Sequence, residues 1–585
     1  MKKETTYRYT PILVAIGVVV GILIGSFYAS HFSGLRLNII NNSTEKINSL
    51  FHIIDDQYVD DVKIDDLVES AMPAILAKLD PHSVYIPASE AKSSMEDLQG
   101  SFSGVGIQFM IYKDTVRVVK VIAGGPSEHV GVRAGDRIVA IDGKSYTGKV
   151  ATNDETRRRL KGATGTNVSI TVVRSGEAKP LNFTITRGDV PVQSIDLSYM
   201  LDAETGYIRI RSFGETTYAE WLAALAELSQ QGLQRLVIDL RGNLGGYMAP
   251  AIQIANEFLP KGRLIVYTKG RKSPREEYSS DGRGTYQTMP LVLLVDESSA
   301  SASEILAGAI QDNDRGTIVG RRTFGKGLVQ VPIEFSDGSM LRLTKARYYT
   351  PSGRCVQKPY TPGDEEEYEM DLLTRAEHGE YFSRDSIKTS GEKYHTRIGR
   401  VVYGGGGIIP DVFIPRDTLG ITSWYRDVYL SGVLSEFAYE ITDRYRGKLS
   451  AQMTAAEVER FLKKENIVEQ LAVFASKAGI KRRNNMIRES HDLIFKTLCA
   501  NVIDEIISTR SASEWLSVSD QAIIEALRIL KSGEAFPKLT PASAGQKTAC
   551  AFKWTHPMFV AGAVPSLPFN KTLALWPRKR TFAVL

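Results

Sequence analysis

Only three cysteines occur in 585 residues, at positions 355, 499 and 550. They are far apart and odd in number, so neither a disulfide framework nor a paired-cysteine metal knuckle can be built from them. The eight histidines are scattered, and no group of His, Cys and carboxylates has metal-ligand spacing. Neither a metal nor another cofactor is therefore expected. Charge of one sign is also lacking. The formal net charge is +5 and the Lys and Arg residues form no stripe, which argues against nucleic acid as a partner. With 43% apolar and 24% charged residues the chain is neither disordered nor fibrous. Its length exceeds what one core supports, so about three or four domains are expected.

What is present begins at the N-terminus. No residue from 9 to 30 is charged, and 11–30 reads PILVAIGVVVGILIGSFYAS. About 20 apolar residues cross a bilayer as a helix. Lys2, Lys3 and Arg8 precede the run and should stay cytoplasmic. The expectation is a cytoplasmic tip at 1–9, an uncleaved anchor at 10–32 and an extracytoplasmic remainder. A cleaved signal peptide is the alternative; the run is long for one, and no A-x-A site follows it. Gly17, Gly21 and Gly25 share one helix face at a spacing that lets helices pack closely.

Beyond the anchor, 33–98 reads as helical, with apolar stripes through Leu50, Ile53 and Ile54 and through Leu67, Met72, Ile75 and Leu76. The Asp80-Pro81 pair breaks the pattern. Residues 99–190 hold short β-type runs separated by glycine turns and form a compact module. Residues 191–418 alternate strand and helix, which predicts a layered α/β core; LVLLVD at 291–296 is apolar throughout and so central in a sheet. Residues 419–540 return to helix. The tail at 541–585 holds two of the five tryptophans but no period, and no fold is assigned to it.

Four segments carry chemistry. Residues 298–304, SSASASE, follow the apolar strand and open a helix. A nucleophile at such a turn is exposed at the end of the sheet, and the helix N-terminus favours an oxyanion. Ser301 and Glu304 also fit an ordinary capping box. In GRRTFGKGLVQ (320–330), Lys326 lies between glycines and beside Phe324 and Leu328. Desolvation there lowers a lysine toward the neutral form that can act as a base; a solvated lysine on a surface turn is the alternative. IDLRGNLGGY (238–247) is a buried strand running into glycines, a pattern that aims backbone N–H groups into a site or simply makes a tight connection. Finally, Gly104, Val105, Gly106 and Ile107 can present successive N–H groups to a carboxylate, and the strand that follows offers an edge for a peptide.

In order along the chain these motifs, with RYYTPSGRCVQ and GGGGIIPDV, resemble the C-terminal processing peptidase (tail-specific protease) family from about residue 43 to 415. The resemblance implies a crotonase-like α/β (ClpP/crotonase-type) protease core preceded by a PDZ domain. It implies a serine endopeptidase with Ser301 as nucleophile, Lys326, 25 positions on, as base, and Gln330 in support. An oxyanion hole is implied from Gly245 or Gly246 together with Ala302. The PDZ domain implies protein or peptide substrates with apolar free C-termini. With the anchor, the expected location is the periplasmic side of a bacterial inner membrane, with a homo-oligomer as one arrangement. Were 326–330 one straight strand, Lys326 and Gln330 would stand about 13 Å apart; Gly327 must permit a bend. The competing functions are a PDZ scaffold with a degenerate core and a crotonase-type enzyme acting on acyl-CoA.

Overall fold

The computed structural model describes residues 15, 18–22, 42–112, 114–389, 391–538 and 583–584. Most of the expected anchor, Gly17 and Gly25 with it, and nearly all of the 541–585 tail lie outside the described residues. Among those described, no helix is long and apolar enough to cross a membrane. The chain divides into one unit ending at Leu79 and another beginning at Asp80. The first holds helices Asn42–Gln57 and Ile64–Leu76, where the apolar spacing predicts them. Leu50 and Ile53 of the expected stripe are each 53% exposed, so this unit does not bury them.

In the second unit the α/β core is built on a six-stranded sheet. Strands β1 (Ile195–Met200), β2 (Thr205–Ile210), β3 (Arg235–Asp239), β4 (Leu291–Val295) and β5 (Thr317–Gly320) lie side by side in that order, followed by Val412–Phe413. Only β1 is antiparallel; from β2 onward all strands run the same way. β4 is buried at every position, as a central strand covered on both faces must be. Helices α1 (Thr217–Gln230), α2 (Met248–Phe258) and α3 (Ala302–Asp312) cover one face through Trp221, Leu225, Ile254, Phe258, Leu306 and Ile310. The other face is covered by helix Gln521–Ser532, whose Ile523, Ala526 and Leu530 pack with Val237, Val292 and Val319. Parallel strands deliver the loops after β3, β4 and β5 to the same end of the sheet, the usual place for a site in such folds. Those three loops carry Gly245 and Gly246, Ser301, and Lys326.

A second sheet supplies the wall beside that end. Its strands β6 (Leu328–Glu334) and β7 (Met340–Tyr349) form an antiparallel hairpin, with a register shift between Val329 and Gln330. The module before the core is antiparallel, with Ile107–Tyr112, Thr115–Val121, Arg137–Ile141, Asn167–Val173 and Leu181–Thr186 as successive neighbours around a core containing Ile107, Val118, Ile138 and Leu160. It also holds helix Asn153–Leu160. Ala583–Val584 pairs antiparallel along the outer edge of Ile107–Tyr112, with Ala583 opposite Phe109. Helices from Ser423 to Ser517 form a bundle with its own core, from Trp424 to Ala512, whereas the last helix of the expected helical region, Gln521–Ser532, belongs to the sheet. The run 428–445, which reads as one helical segment, is broken by Gly432 at φ 81° into Ser423–Leu430 and Val433–Tyr445.

One arginine joins the β module to the bundle. Arg117, 2% exposed, donates to both carboxylate oxygens of Asp443 at 2.7 and 3.2 Å and lies over the Tyr439 ring. Glu505 stands 3.8 Å away, its pKa pushed up to about 7 by burial. Removing the guanidinium leaves the buried Glu505 without its cation, while Asp443, about a third exposed, keeps Arg446 at 3.2 Å; the loss should fall below the roughly 3–5 kcal/mol of a wholly buried pair. Arg117→Leu should therefore lower the thermal unfolding midpoint in calorimetry and expose the joint to limited proteolysis. An unchanged midpoint would show that the joint contributes nothing.

Candidate active site

Ser301 ends the loop from β4 and caps α3. Its backbone is at φ 55°, ψ −114°, a conformation that costs a non-glycine residue on the order of 1–3 kcal/mol and persists only where its surroundings impose it. The imposing contacts are visible. An added Cβ on Gly245 would fall 2.7 Å from the Ser301 Cβ and 2.8 Å from the Ala300 carbonyl oxygen. On Gly246, at φ 143°, it would fall 2.2 Å from the Phe213 carbonyl. Both glycines are required by space as well as by torsion.

Glu304, on the first turn of α3, is wholly buried. One carboxylate oxygen accepts the N–H of Ser301 at 2.9 Å and the N–H of Lys326 at 2.8 Å. The other accepts the Thr323 hydroxyl at 2.5 Å and the Gly325 N–H at 2.8 Å. The two amide nitrogens sharing one oxygen can lie no more than about 6 Å apart. Half of the capping box expected from the sequence is thus a link between the two loops. Burial pushes the Glu304 pKa up to about 7 against these four hydrogen bonds, which favour the carboxylate.

Lys326 follows Gly325, at φ 93°, and precedes Gly327, where an added Cβ would meet the Gln357 backbone nitrogen at 2.8 Å. Burial lowers the Lys326 pKa to about 8, with the Arg342 charge adding to the effect; Asp80 and Glu304 oppose it. Its Nζ donates to the Gln330 Oε1 at 3.0 Å. The expected bend is real: Lys326 lies outside β6, and the register shift after Val329 turns Gln330 toward it. The Gln330 amide in turn donates to the His82 carbonyl oxygen. Asp80 ties down this 80–83 segment by accepting the His82 N–H at 2.9 Å, the Ser83 N–H at 3.0 Å and the Ser83 hydroxyl at 2.6 Å. The His82 ring is paired with the Tyr368 hydroxyl at 2.8 Å, and burial, aided by the Lys326 charge, lowers its pKa to about 4.

Of the backbone donors expected around Ser301, Gly245 is committed elsewhere: its N–H donates to the Asn243 side-chain oxygen at 2.8 Å. The Gly246 and Ala302 N–H groups have no such partner among the described residues. Ser301, Ala302, Lys326, Gln330, Gly245 and Gly246 all line one cleft of about 2260 Å³. The cleft runs on past Val119 and Ile122 of the β module and Tyr439 and Glu505 of the bundle. Gly104, Val105, Gly106 and Ile107 sit apart from Ser301, at the head of the strand Ile107–Tyr112; Val105 and Ile107 point their side chains into the module's core.

Comparison with known proteins gives the family. The description "Peptidase family S41" matches residues 204–366, "PDZ domain" matches 117–174, and "Activating protease CtpB N-terminal domain" matches 32–90. A family of unknown function matches 424–508. A carboxy-terminal-processing protease of Bartonella bacilliformis is 37% identical over 317 residues, covering 53% of this chain and 72% of the relative. The chain belongs to the carboxy-terminal-processing protease family. A probable CtpA-like serine protease of Staphylococcus aureus is 32% identical over 361 residues, 61% of this chain and 72% of its own length. The solved photosystem II D1 C-terminal processing protease shares 30% identity, with a TM-score of 0.32, over 55% of this chain and 92% of its own. The chain is thus a serine-type endopeptidase with a PDZ domain.

Sequence reasoning missed the 80–83 segment and the double role of Glu304. The signal for the first was a run of polar residues, DPHS, closing a helical stretch; the second had none, because Thr323, Gly325 and Lys326 come from another loop. Glu304→Gln keeps the shape but turns one acceptor into a donor facing donors. A buried N–H left unpaired costs about 1–3 kcal/mol. The variant should lose at least about tenfold in kcat, since misplacing a catalytic group by about 1 Å costs some 100-fold, and should melt earlier. Wild-type kcat would remove Glu304 from the account.

Proposed function

We propose that this protein cleaves peptide bonds near the C-terminal ends of protein substrates, with Ser301 as nucleophile and Lys326 as its base. The observation that carries the assignment is the single carboxylate oxygen of Glu304 holding the N–H groups of both residues. The Ser301 Oγ forms a bond to the scissile carbonyl carbon as its proton passes to the Lys326 Nζ. The Gly246 and Ala302 N–H groups receive the oxyanion. The C–N bond then breaks, and the departing amine takes the proton from Lys326. Water, deprotonated by the Lys326 amine, then attacks the acyl carbon; the ester bond to the Ser301 Oγ breaks, and Lys326 returns the proton to that oxygen. Gln330, anchored on the His82 carbonyl, orients the Nζ.

We assign 99–190 to the PDZ domain, 191–418 to the protease core and 419–540 to a helical C-terminal region, with 33–98 as a helical N-terminal segment and 541–585 left unassigned. Gly104, Val105, Gly106 and Ile107 would hold the free carboxylate of a substrate with an apolar terminus. The neighbouring edge of Ile107–Tyr112 suits an added strand; it pairs with Ala583–Val584 in just this antiparallel manner. The cleft from the PDZ domain to Ser301 gives the captured chain a route. The charge-free run at 10–32, preceded by Lys2, Lys3 and Arg8, supports a single-pass anchor in a bacterial inner membrane with the catalytic part on the periplasmic side. The exposed Ile47, Leu50 and Ile53 stripe supports a homo-oligomer.

At pH 7 about one Lys326 in ten is neutral when its pKa is near 8. The rate of peptide hydrolysis should therefore rise about tenfold per pH unit below 8 and level off above it. Arginine stays charged throughout, so Lys326→Arg should be as inactive as Ser301→Ala. More than about a tenth of wild-type activity in Lys326→Arg would exclude a neutral lysine as base. A peptide with an apolar tail should also be cut faster as the free acid than as the amide; equal rates would remove carboxylate capture by the PDZ loop.

A further inference from the structure

Tyr348 sits on β7 with 1% of its surface exposed, its ring packed in the core beneath the site. Its backbone N–H donates to the Gly327 carbonyl at 3.0 Å. Its hydroxyl lies 2.6 Å from the Lys326 carbonyl oxygen and 3.1 Å from the Ser301 carbonyl oxygen. A phenol has one proton, so the two carbonyls share it, the shorter contact taking the larger part. We infer that the Tyr348 hydroxyl is a positioning group for the reaction, joining the carbonyl ends of Ser301 and Lys326 as Glu304 joins their N–H ends. The inference rests on the dyad proposed above.

The physical reason is closure. Glu304 fixes the N–H end of each residue, and the first turn of α3 holds the Ser301 carbonyl, but nothing in that set reaches the Lys326 carbonyl. With both carbonyls bound to one hydroxyl, the rotation on each side of the Ser301 and Lys326 Cα atoms is set, and so is the direction of each Cα–Cβ bond. For Ser301 this matters doubly, because its φ of 55° is not a conformation it would keep unaided. The same carbonyl also accepts the Glu304 and Ile305 N–H groups at 2.8 and 3.0 Å, so Tyr348 is the donor that binds it to the second loop rather than to its own helix. Burial and the nearby Glu304 charge hold the phenol well above its ordinary pKa, so the donor is present throughout the working range. The Tyr348 hydroxyl bonds the two carbonyls and not the Ser301 hydroxyl or the Lys326 amine. Its loss should misplace the dyad without changing which proton moves.

Tyr348→Phe tests this with a ring of the same shape. Kinetics should be read per active site, titrated with a fluorophosphonate that labels Ser301, so that only folded molecules count. The expected result is a fall of about 10- to 100-fold in plateau kcat, with KM within about twofold and the pH limb unmoved. A role confined to stability would lower the melting temperature and the number of titrated sites while leaving kcat per site alone, and that outcome would overturn the inference. So would a shifted limb with an unchanged plateau. If Tyr348→Phe does not fold, Tyr348→Met, which fills the space without a donor, is read in the same way. Ser301→Ala and Lys326→Ala run beside it. Activity in either one removes the dyad itself, whereas two dead controls and a wild-type Tyr348→Phe remove only the role of Tyr348.

Discussion

A carboxylate with no solvent around it is among the most expensive groups a protein can bury, and Glu304 is tolerable only because four donors converge on it. Those donors come from two loops that follow neighbouring parallel strands. The carboxylate therefore does more than cap a helix: it converts the spacing of β4 and β5 into a fixed relation between Ser301 and Lys326. The strained Ser301 backbone, the glycines packed beneath it and the lysine loop all depend on that relation.

The basicity of Lys326 follows from the same packing. Its amine is buried beside the cationic Arg342, while Asp80 and Glu304 supply nearby negative charge; burial outweighs them, and the pKa settles near 8. Gln330 gives the amine a neutral acceptor, which orients it without restoring the full charge that a carboxylate would favour. That acceptor is held by the His82 carbonyl, so a stretch before the PDZ domain reaches the chemistry through a backbone contact as well as through the Asp80 charge. The cleft then couples three parts of the chain. The PDZ domain lies on one wall, the helical bundle, joined to it by Arg117 and Asp443, on another, and Ser301 and Lys326 line the same cleft.

Much of this was legible in the residues. The uniformly apolar run ending at Val295 marked a central strand, and a serine-rich turn after it marked the exposed end of the sheet. Gly325 and Gly327 on either side of Lys326 marked a close approach that the structure bears out. What could not be read was decided by groups distant in sequence. Gly245 and Gly246 look alike in the chain, yet an Asn243 side chain takes the N–H of one and leaves the other. The contact of Lys326 with Gln330 depends on a register shift against β7, which no local pattern reveals. Arg117 lies in a short β-type run, and its partner Asp443 is 326 positions away. The apolar stripe through Leu50 and Ile53 was visible, but its own unit does not bury it.

The central claim is that Lys326 can shed its proton near neutrality, and it can be read without any substrate. In Ser301→Ala protein labelled with 13C at the lysine Cε, each titrating amine shifts its own resonance. Burial lowers both Lys326 and Lys358 to about 8, the latter against its pairing with Asp371, so two lysines should titrate well below the rest. Lys326→Ala should delete one of the two, and the deleted resonance should have its midpoint near 8. A Lys326 resonance titrating with the solvated lysines near 10.4 would contradict the account, because an amine so rarely neutral at pH 7 could not serve Ser301 as its base.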